Sequence, residues 1–482
     1  MSWNLPGVRA AAALFLAVVL QLRAGPCAAG EAAVNARPGY NVILIVVDCL
    51  RADHLSLYGY SRKTSPNIDA FAGEASVFAH AVAPAPTTLL SFASILTSMD
   101  VSSHGVDAPD KALSDSALTL AEILKIYNYK TAAFVGGLNL NPLFKLNQGF
   151  DIYSHIDRTD ASFKDTLPAA LKWAKERNAG NEKFFILAHG NDLHTPYVFP
   201  SSSLYDKGFK VNPKLKTLSG IDAGLFAVYK RKLRLERERE VLILGDGDVG
   251  HIVARYDEGI NYADGLIGDF INGLRAEGLL DRTVVILTAD HGEGLFDHDY
   301  FFHDFNLYED TLRVPLIMRV PGLKGREIAR QVRLIDLMPT ALDFVGVAPP
   351  ADAAGRSLVP LLYGEDAGSG PGEDVISESS VGGKAIRSGR WKLIWYPERT
   401  ELYDLQKDPA ERDNLAEGEK ATAAALKKKL FARVAANAEG ALSEPLPAGG
   451  KFAAEMKRDK ARQRELYRKM PALTGDRPAR RP

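Results

Sequence analysis

The sequence has little cysteine, no excess of charge of one sign, and no hydrophobic run long enough to predict a confident membrane span. Only 2 of its 482 residues are cysteine, and 59 Lys and Arg balance 60 Asp and Glu. A disulfide-rich scaffold is therefore excluded, and no net charge directs the chain to nucleic acid. The composition, 46% hydrophobic and 25% charged, is typical of a globular protein that can bury a core.

The N-terminus has the features of a secretory signal peptide. Arg9 precedes an apolar run at residues 11–22, and small residues follow around Cys27. This pattern predicts a signal peptide at residues 1–29 and an exported protein, periplasmic or extracellular, with no stable membrane span after cleavage. A membrane anchor is the alternative if the segment is not cleaved. After cleavage Cys49 is the only cysteine, which leaves no intramolecular disulfide.

Two apolar runs in the sequence end abruptly in polar side chains. Residues 41–47 (NVILIVV) precede Asp48, and residues 283–288 (TVVILT) lead to Asp290 and His291. Buried parallel strands end in this way, and their carboxyl ends meet at the sheet edge where ligands bind. A divalent cation at that edge would neutralise the two carboxylates. For Asp48 alone, a strand-terminal cap is the alternative.

A third candidate lies at the predicted start of a helix. After Pro84 and Pro86, residues 89–96 (LLSFASIL) have helical apolar spacing, so Thr87 or Thr88 should lie at the helix N-terminus. Threonine is more commonly an N-cap at such a position. The functional alternative is a nucleophile, because free backbone N–H groups there favour a phosphoryl or sulfuryl group and a metal would activate the hydroxyl.

Two loops are rich in residue types that bind metals. One follows a predicted strand at residues 183–189, and the other follows the strand that leads to Asp290. Their candidate residues are His189, Asp192 and His194 in the first loop, and Asp297, His298, Asp299, His303 and Asp304 in the second. Imidazole and carboxylate groups serve as metal ligands and as acid–base groups, so both loops are site candidates.

The remaining pattern predicts the organisation of the chain. Alternating strands and helices indicate an α/β fold with a largely parallel sheet. Residues 229–240 mix both charge signs and are predicted to be a solvated helix. Segments that flank Ser388-Gly389 within residues 384–396 predict a small antiparallel sheet. From Glu417 the chain is Ala- and Lys-rich and is predicted to be helical, and from Pro445 it is expected to be basic and loosely ordered.

Taken together, these motifs resemble the sulfatase family of the alkaline-phosphatase-like superfamily. The resemblance spans about residues 40–416 and rests on NVILIVVDCLRADHLSLYGY, SFASILTSMDVSSHGV, FFILAHGNDLHTPY, TVVILTADHGEGLFDH, HDFNLYEDTLRVPLIM, RLIDLMPTALDFVGV, GRSLVPLLYG and ELYDLQKDPAERDNL. It implies an alkaline-phosphatase-like fold with a catalytic domain at residues 40–350. A C-terminal α+β subdomain with an antiparallel sheet would follow at residues 351–416, and a helical, basic tail at residues 417–482.

The resemblance also implies a metal site and a nucleophile. Asp48, Asp290 and His291 would be ligands of a divalent metal ion, whose identity is left open among Ca²⁺, Mn²⁺, Zn²⁺ and Mg²⁺. Thr88 would occupy the nucleophile position and contribute a further ligand to the metal. The metal would stabilise negative charge on the oxygens of the transferred group. The substrate would be a small-molecule, glycan or lipid ester that carries this group.

Catalytic histidines are implied as well, but several positions depart from the family's pattern. His194 and His303 would bind oxygens of the transferred group or protonate the leaving group. Familiar sulfatases have Cys or Ser, oxidised to formylglycine, followed by Pro and Arg, whereas residues 88–92 read TLLSF here. Cys49 replaces a second aspartate, and a Lys-and-His pair expected near GGLN is absent.

The expected function is therefore an exported, metal-dependent hydrolase of sulfate or phosphate esters with Thr88 at the nucleophile position. A threonine with a divalent metal is also similar to branches of the superfamily that transfer phosphoethanolamine or glycerol phosphate. A transferase of that type is one alternative. The other is a pseudoenzyme that only binds anionic glycans, which the replacement of the family's arginine by Phe92 suggests.

Overall fold

An eight-stranded sheet forms the frame that positions the candidate residues. Its strands lie in the spatial order Glu327–Ile328, Ser76–Phe78, Leu316–Arg319, Thr283–Ala289, Asn41–Val47, Phe184–Gly190, Lys130–Gly136 and Ile152–Ile156. The last five strands in that order are mutually parallel, and antiparallel pairing begins where Leu316–Arg319 joins them. The prediction of an α/β fold with a largely parallel sheet is confirmed.

The computed structural model describes most of the chain beyond the predicted signal peptide. The described residues are 39–158, 160–195, 197, 204–212, 225–229, 232–235, 240–365, 372–446, 452–454, 456–458 and 460–461. The predicted signal peptide, residues 1–29, lies outside them. Among the described residues, no helix is both long enough and apolar enough to cross a membrane.

Two central strands carry the candidate metal ligands to one edge of the sheet. Asn41–Val47 and Thr283–Ala289 pair in parallel along their whole length, and every residue of both strands is buried. Asp48 and Asp290 directly follow these strands, so they leave the sheet at the same level. Phe184–Gly190 pairs on the other side of the first strand and brings a third loop to this edge. Such an edge is where α/β folds bind ligands.

Helices pack on the sheet and join its strands. The described α-helices are Pro66–Ala72, Thr88–Thr97, Val101–His104, Leu120–Ile126, Phe163–Ala179, Asp246–Ala276, Glu309–Leu312, Leu337–Phe344, Val359–Tyr363 and Lys420–Ala438. The predicted helix start near Thr88 is confirmed, with Thr87 extended at the N-cap position. The Thr87 hydroxyl is buried and makes no hydrogen bond to a described residue, so it does not cap the helix.

The prediction of a helix at residues 229–240 is wrong. The described parts of this region form an antiparallel sheet of Leu225–Tyr229, Lys232–Leu235 and Glu240–Ile243. The sequence from Lys232 to Leu235 alternates charged and apolar residues, which is the period of two that suits a strand. The many charges of the segment favour a solvated helix, whereas this alternation favours a strand, and the structure follows the alternation.

The predicted small antiparallel sheet near the C-terminus is confirmed. It contains Val375–Glu378, Lys384–Ser388, Trp391–Tyr396 and Arg399–Asp404, each antiparallel to the next. Gly389 has a φ of +60°, in the left-handed region that favours glycine, and it forms the predicted turn. The predicted helix follows as Lys420–Ala438, and its apolar side packs on this sheet. The exact domain boundaries stay predictions.

The C-terminal tail returns to the large sheet domain. Ser443–Pro445 pairs antiparallel with Lys111–Leu113, and the described residues from 452 to 461 are helical. The ring of Phe452 meets that of Phe144 edge to face, with centroids 5.6 Å apart, and Met456 is buried. The expectation of loose order beyond Pro445 is therefore wrong for the described part of the tail, which packs into the main core.

A further short sheet completes the described strands. It joins Arg313–Val314 and Val332–Arg333 to Ala81–Val82, which lies between them. Ala81–Val82 leads directly to the proline-rich segment before Thr88, so this sheet fixes the entry to the helix that carries the candidate nucleophile.

Candidate active site

His291 lies between the two predicted carboxylate ligands at the sheet edge. Its Nε2 is 3.5 Å from Asp48 Oδ1 and 3.5 Å from Asp290 Oδ2, and all three side chains are buried. Its Nδ1 is 2.8 Å from the carbonyl oxygen of Gly292. Since a carbonyl only accepts, Nδ1 carries a proton, and in the neutral imidazole Nε2 offers its lone pair to this cluster. The three groups predicted to bind a metal are thus together.

The electrostatics of this cluster favour a positive charge. Burial, with the charge of Asp48 adding to it, raises the pKa of Asp290 to about 7. Burial also acts to raise the pKa of Asp48, but His194 and His291 outweigh it and the pKa lies at about 2. Burial lowers the pKa of His291, yet the charges of Asp290 and Asp48 raise it overall. Two buried carboxylates this close need a cation to remain charged together.

A second histidine belongs to the same cluster. His189 Nδ1 is 3.1 Å from the carbonyl oxygen of Gly136 and donates to it, while its buried Nε2 has no hydrogen-bond partner among the described residues. One of its ring nitrogens and one oxygen each of Asp48 and Asp290 lie within 4.8 Å of one another. Burial lowers the pKa of His189 to about 4, so the imidazole is neutral, as a ligand must be.

The donor set fits a divalent cation. Asp290 Oδ2 is buried without a hydrogen-bond partner among the described residues, as is His189 Nε2, and both lie in the cluster. An orphaned buried polar atom is costly unless a group outside the chain satisfies it. Carboxylate and imidazole donors bind Zn²⁺ and Mn²⁺, and carboxylates also bind Ca²⁺ and Mg²⁺.

The structure brings Thr88 to these residues. Thr88 is the first residue of its helix and is buried, and its Oγ1 lies 3.3 Å from His291 Nε2. The hydroxyl is within hydrogen-bond distance of this nitrogen. One turn further, Ser91 Oγ donates to the carbonyl oxygen of Asp290 (2.7 Å) and ties the helix to the strand end. The position of Thr88 agrees with the sequence prediction.

His303 and His194 form the other side of the cluster. His303 Nδ1 is 3.1 Å from Glu293 Oε1, and its ring centroid is 4.5 Å from that of His291 and 5.2 Å from that of His194. Burial raises the pKa of Glu293 to about 8, so its carboxyl can donate to His303 at neutral pH. Burial also lowers the pKa of His303 to about 3, and the nearby His291 adds to that effect.

A cavity of about 240 Å³ opens over these groups. Asp48, Thr88, His194 and His303 line it, so four of the predicted site residues share one space. His194 Nδ1 donates to the carbonyl oxygen of Thr195 (2.7 Å), which leaves Nε2 for an incoming molecule. The cavity is also lined by Gly137, Leu138 and Asn139, and by a C-terminal wall, defined as Ser380 and Met456.

Other candidates from the two loops serve the scaffold. Asp192 accepts hydrogen bonds from Ser162 Oγ and from the backbone N–H of Phe163 (2.9 Å), at the start of the Phe163–Ala179 helix. His298 stacks on Tyr308 with ring centroids 3.8 Å apart and pairs with Asp310.

Two further aspartates of the second loop also lie away from the metal-type cluster. Asp297 pairs with Arg51 at 2.6 Å, and Asp299 is exposed. The metal-ligand side chains that are close together in this part of the sequence therefore do not form one site, because they contact different partners.

The structure shows the contacts of two positions that depart from the family pattern. Phe92 meets His189 edge to face, with ring centroids 5.2 Å apart, so an apolar ring covers the position where the family pattern has arginine. Gly137 has a φ of +93°, and a Cβ there would lie 2.5 Å from Asn191 Nδ2. Both positions are therefore filled by packing in this chain.

Glu293, Ser380 and Met456 were not proposed as site residues from the sequence. Glu293 is two residues from His291, and this proximity was the only signal for it. Ser380 lies in the predicted C-terminal subdomain, before the residues predicted to form its sheet, and Met456 lies in the predicted loose tail. No pattern in their neighbourhood indicates a pocket. Their contact with the cavity depends on long-range packing.

The sequence matches protein-family models and known proteins. The family model described as Sulfatase matches residues 40–347, and the one described as N-sulphoglucosamine sulphohydrolase, C-terminal, matches residues 296–439. An arylsulfatase of Clostridium perfringens is 27% identical over 442 residues, which is 79% of this chain and 90% of that protein.

Two other similar proteins match different fractions of this chain. Arylsulfatase K of Mus musculus is 30% identical over 280 residues, and the match spans 51% of this chain and 49% of that protein. The solved structure of a phosphonate monoester hydrolase from Agrobacterium radiobacter superposes with a TM-score of 0.65 at 20% identity, and covers 83% of this chain and 96% of that one. At that identity the superposition shows a common fold.

Proposed function

The chain belongs to the sulfatase family of hydrolases, and we propose that it is a metal-dependent hydrolase of sulfate or phosphate esters that uses Thr88 as the nucleophile. One observation carries the proposal. Thr88 Oγ1 lies at a helix N-terminus, 3.3 Å from Nε2 of His291, and Thr88 lines the same cavity as Asp48, His194 and His303.

The cation would be held by Asp48, Asp290 and His291, with His189 as a neighbouring donor. When bound, a divalent cation supplies positive charge that stabilises the oxygens of the transferred group and lowers the pKa of the threonine hydroxyl. The buried oxygen of Asp290 and the buried nitrogen of His189 that lack partners among the described residues support this assignment.

The chain's own residues account for the bond changes. The Thr88 proton passes to water, Thr88 Oγ1 forms a bond to sulfur or phosphorus, and the bond from that atom to the ester oxygen breaks. Protonated His194 gives its Nε2 proton to the departing oxygen. In the second half, His194 takes a proton from water, the water oxygen attacks the sulfur or phosphorus atom, and Thr88 leaves as the anion. His303 lines the cavity beside His194 and can donate a hydrogen bond to the transferred group.

A threonine changes the chemistry relative to a formylglycine enzyme. It has no aldehyde hydrate that could release the sulfate by elimination, so a covalent ester on Thr88 must be cleaved by water. Burial of Thr88, His291 and Asp290 keeps bulk solvent from competing with the charges that direct these steps. The substrate class therefore includes small-molecule and glycan esters whose sulfate or phosphate group fits the cavity of about 240 Å³.

The export of the protein is a second part of the proposal. Its support is the charged, apolar and small-residue pattern of residues 1–29. Fractionation of cells that express the chain with and without these residues should place only the complete chain outside the cytoplasm. Equal distribution of the two forms would contradict export.

The decisive test of the nucleophile is Thr88→Ala. Full-length protein supplied with Mn²⁺, Zn²⁺, Mg²⁺ or Ca²⁺ is assayed on an aryl sulfate, a phosphate monoester, a phosphodiester and a phosphonate. Loss of a nucleophile costs several powers of ten, up to about 10⁶ in kcat in a well-studied hydrolase. We expect wild type to turn over at least one substrate, and Thr88→Ala to lose that turnover.

Matched variants make this test specific. Thr97→Ala removes a threonine from the other end of the same helix, where its hydroxyl donates to the carbonyl oxygen of Ala93 (2.6 Å), and should retain activity. Turnover by Thr88→Ala equal to wild type would refute the nucleophile assignment. Transfer of the labelled group from Thr88 to an acceptor alcohol rather than to water would show a transferase, and no turnover with no bound cation would favour a binding protein.

A further inference from the structure

Cys49 occupies a place in the cluster that its burial alone does not explain. Buried cysteines usually pack as small apolar groups. The Cys49 Sγ instead lies 3.1 Å from Asp48 Oδ1 and 3.6 Å from His303 Nδ1, so two polar atoms are its neighbours. The side chain is fully buried.

The backbone holds this side chain in the cluster. Cys49 has a φ of +61°, which a residue other than glycine adopts at a cost, and its N–H lies 3.4 Å from Asp290 Oδ1. Its carbonyl oxygen accepts a hydrogen bond from Tyr256 Oη (2.6 Å), and Tyr256 Oη accepts one from the N–H of Arg51 (2.9 Å). These hydrogen bonds hold the backbone of the turn that directs the Cys49 side chain into the cluster.

The donor atoms around Cys49 form a ligand set of their own. Cys49 Sγ and one ring nitrogen each of His291 and His303 lie within 4.8 Å of one another. His291 Nε2 is also 3.5 Å from both Asp48 Oδ1 and Asp290 Oδ2, so this set shares its centre with the carboxylates. The partnerless Asp290 Oδ2 is a second, independent sign that a group outside the chain belongs there.

We propose that the sulfur of Cys49 is a direct ligand of the cation, and that the site therefore selects Zn²⁺ over Ca²⁺ and Mg²⁺. The inference deepens the proposed function and rests on its metal site. Thiolate and imidazole donors suit Zn²⁺, whereas Ca²⁺ and Mg²⁺ take oxygen donors almost exclusively. A carboxylate at position 49 would add a third oxygen ligand to those of Asp48 and Asp290 and favour Ca²⁺ or Mg²⁺, whereas the sulfur favours Zn²⁺.

The test is spectroscopic and does not depend on turnover. Metal-stripped full-length protein is titrated with Co²⁺, which reports a bound sulfur through an intense sulfur-to-metal charge-transfer band in the near ultraviolet. Wild type should show the band, and Cys49→Ser should bind Co²⁺ without it. Cys27→Ser removes the only other cysteine of the chain and should leave the band unchanged.

Competition between Zn²⁺ and Ca²⁺ measures the selectivity. Loss of even an outer partner of a ligand typically costs about 10- to 100-fold in metal affinity, so Cys49→Ser should bind Zn²⁺ at least about tenfold more weakly. Cys49→Asp should instead gain Ca²⁺ affinity relative to Zn²⁺, and it keeps the test usable if the serine variant unfolds. Circular dichroism of each variant verifies folding.

The outcomes separate this inference from the proposed function. Binding of Co²⁺ by wild type without the charge-transfer band would overturn the role of Cys49 and leave the metal-dependent hydrolase intact. Unchanged Zn²⁺ and Ca²⁺ affinities in Cys49→Asp would also overturn it. Failure of wild type to bind any of these cations would refute both the sulfur ligand and the metal site. If wild type shows the band but Thr88→Ala retains wild-type turnover, only the proposed mechanism is refuted.

Discussion

The sheet edge and the C-terminal wall bound the same cavity but are assembled in opposite ways. At the edge, Asp48 and Asp290 directly follow two strands that are paired along their whole length, so the topology of the sheet alone brings them together. Ser380 and Met456 come from the antiparallel sheet and the tail, and reach the cavity only through distant packing. The chemistry of the site thus depends on local sequence, and the shape of its pocket on long-range contacts.

After the loss of Thr88 itself, the largest effect should come from the carboxylates of the edge. Asp48→Asn and Asp290→Asn each keep the shape of the side chain and remove its negative charge. Because removal of one preorganised electrostatic group typically costs about 10²- to 10³-fold in kcat, we expect at least that loss, together with loss of bound cation. Steady-state kinetics and metal analysis measure the two effects.

The control for these variants comes from the same acidic stretch. Asp299 is exposed and has a φ of +63°, a conformation that asparagine tolerates. Asp299→Asn should keep wild-type activity and metal content. If it lost both, the loop as a whole rather than the sheet edge would determine the metal site.

Asp192 lies in a loop at the sheet edge, but its contacts give it a structural role, so its substitution should change stability. Burial raises its pKa to about 6 from an ordinary value of 3.8, and Ser162 Oγ and the N–H of Phe163 bind its oxygens. Since the folded pKa is raised, this group's contribution to stability is complete below about pH 4 and is lost as the pH rises through about 6. One pKa unit corresponds to about 1.4 kcal/mol, so the loss is about 3 kcal/mol.

The pH dependence of Asp192→Asn measures this contribution. The free energy of unfolding of the metal-free variant, relative to wild type, should rise by about 3 kcal/mol between pH 4 and pH 7, because asparagine does not ionise. Urea unfolding at several pH values gives the comparison, with Asp299→Asn as the exposed control. Parallel profiles for wild type and Asp192→Asn would contradict a raised pKa of Asp192.

How far the sequence predicts this molecule follows from the same contrast. The strands before Asp48 and Asp290 are continuous apolar runs, and the helix start at Thr88 follows two prolines, so local signals located the metal-type residues and the candidate nucleophile. The resemblance to the sulfatase family added the roles of His194 and His303. These roles stay predictions, while the convergence of the residues is observed.

The failures have physical causes. The strands within residues 225–243 were missed because charge content was weighed above the alternation of Lys232 to Leu235. His298 and Asp297 have ligand-type side chains, but Asp310 and Arg51 bind them, and no periodicity reveals such partners. The packing of the tail depends on pairing with Lys111–Leu113, hundreds of residues earlier, which a local pattern does not contain.

The smallest effect should come from the C-terminal wall. Met456 is buried and lines the cavity, and the tail that carries it is tied to the main domain by an ion pair of 2.6 Å between Lys460 and Asp110. Met456→Ala removes apolar surface from the pocket wall but no charge from the site. Because a buried methylene contributes about 0.8 kcal/mol, we expect KM to rise about three- to tenfold with kcat nearly unchanged.

Lys457→Ala is the matched control for this wall, because Lys457 is next to Met456 in the same helical segment and is exposed. It should leave both constants at wild-type values. Comparison of a small aryl ester with a bulkier glycan ester sharpens the result, since a larger pocket should lower the preference for the small substrate in Met456→Ala. A fall in kcat as large as that of Asp290→Asn would mean that the tail positions the catalytic groups themselves, and that the two sides of the cavity are not independent.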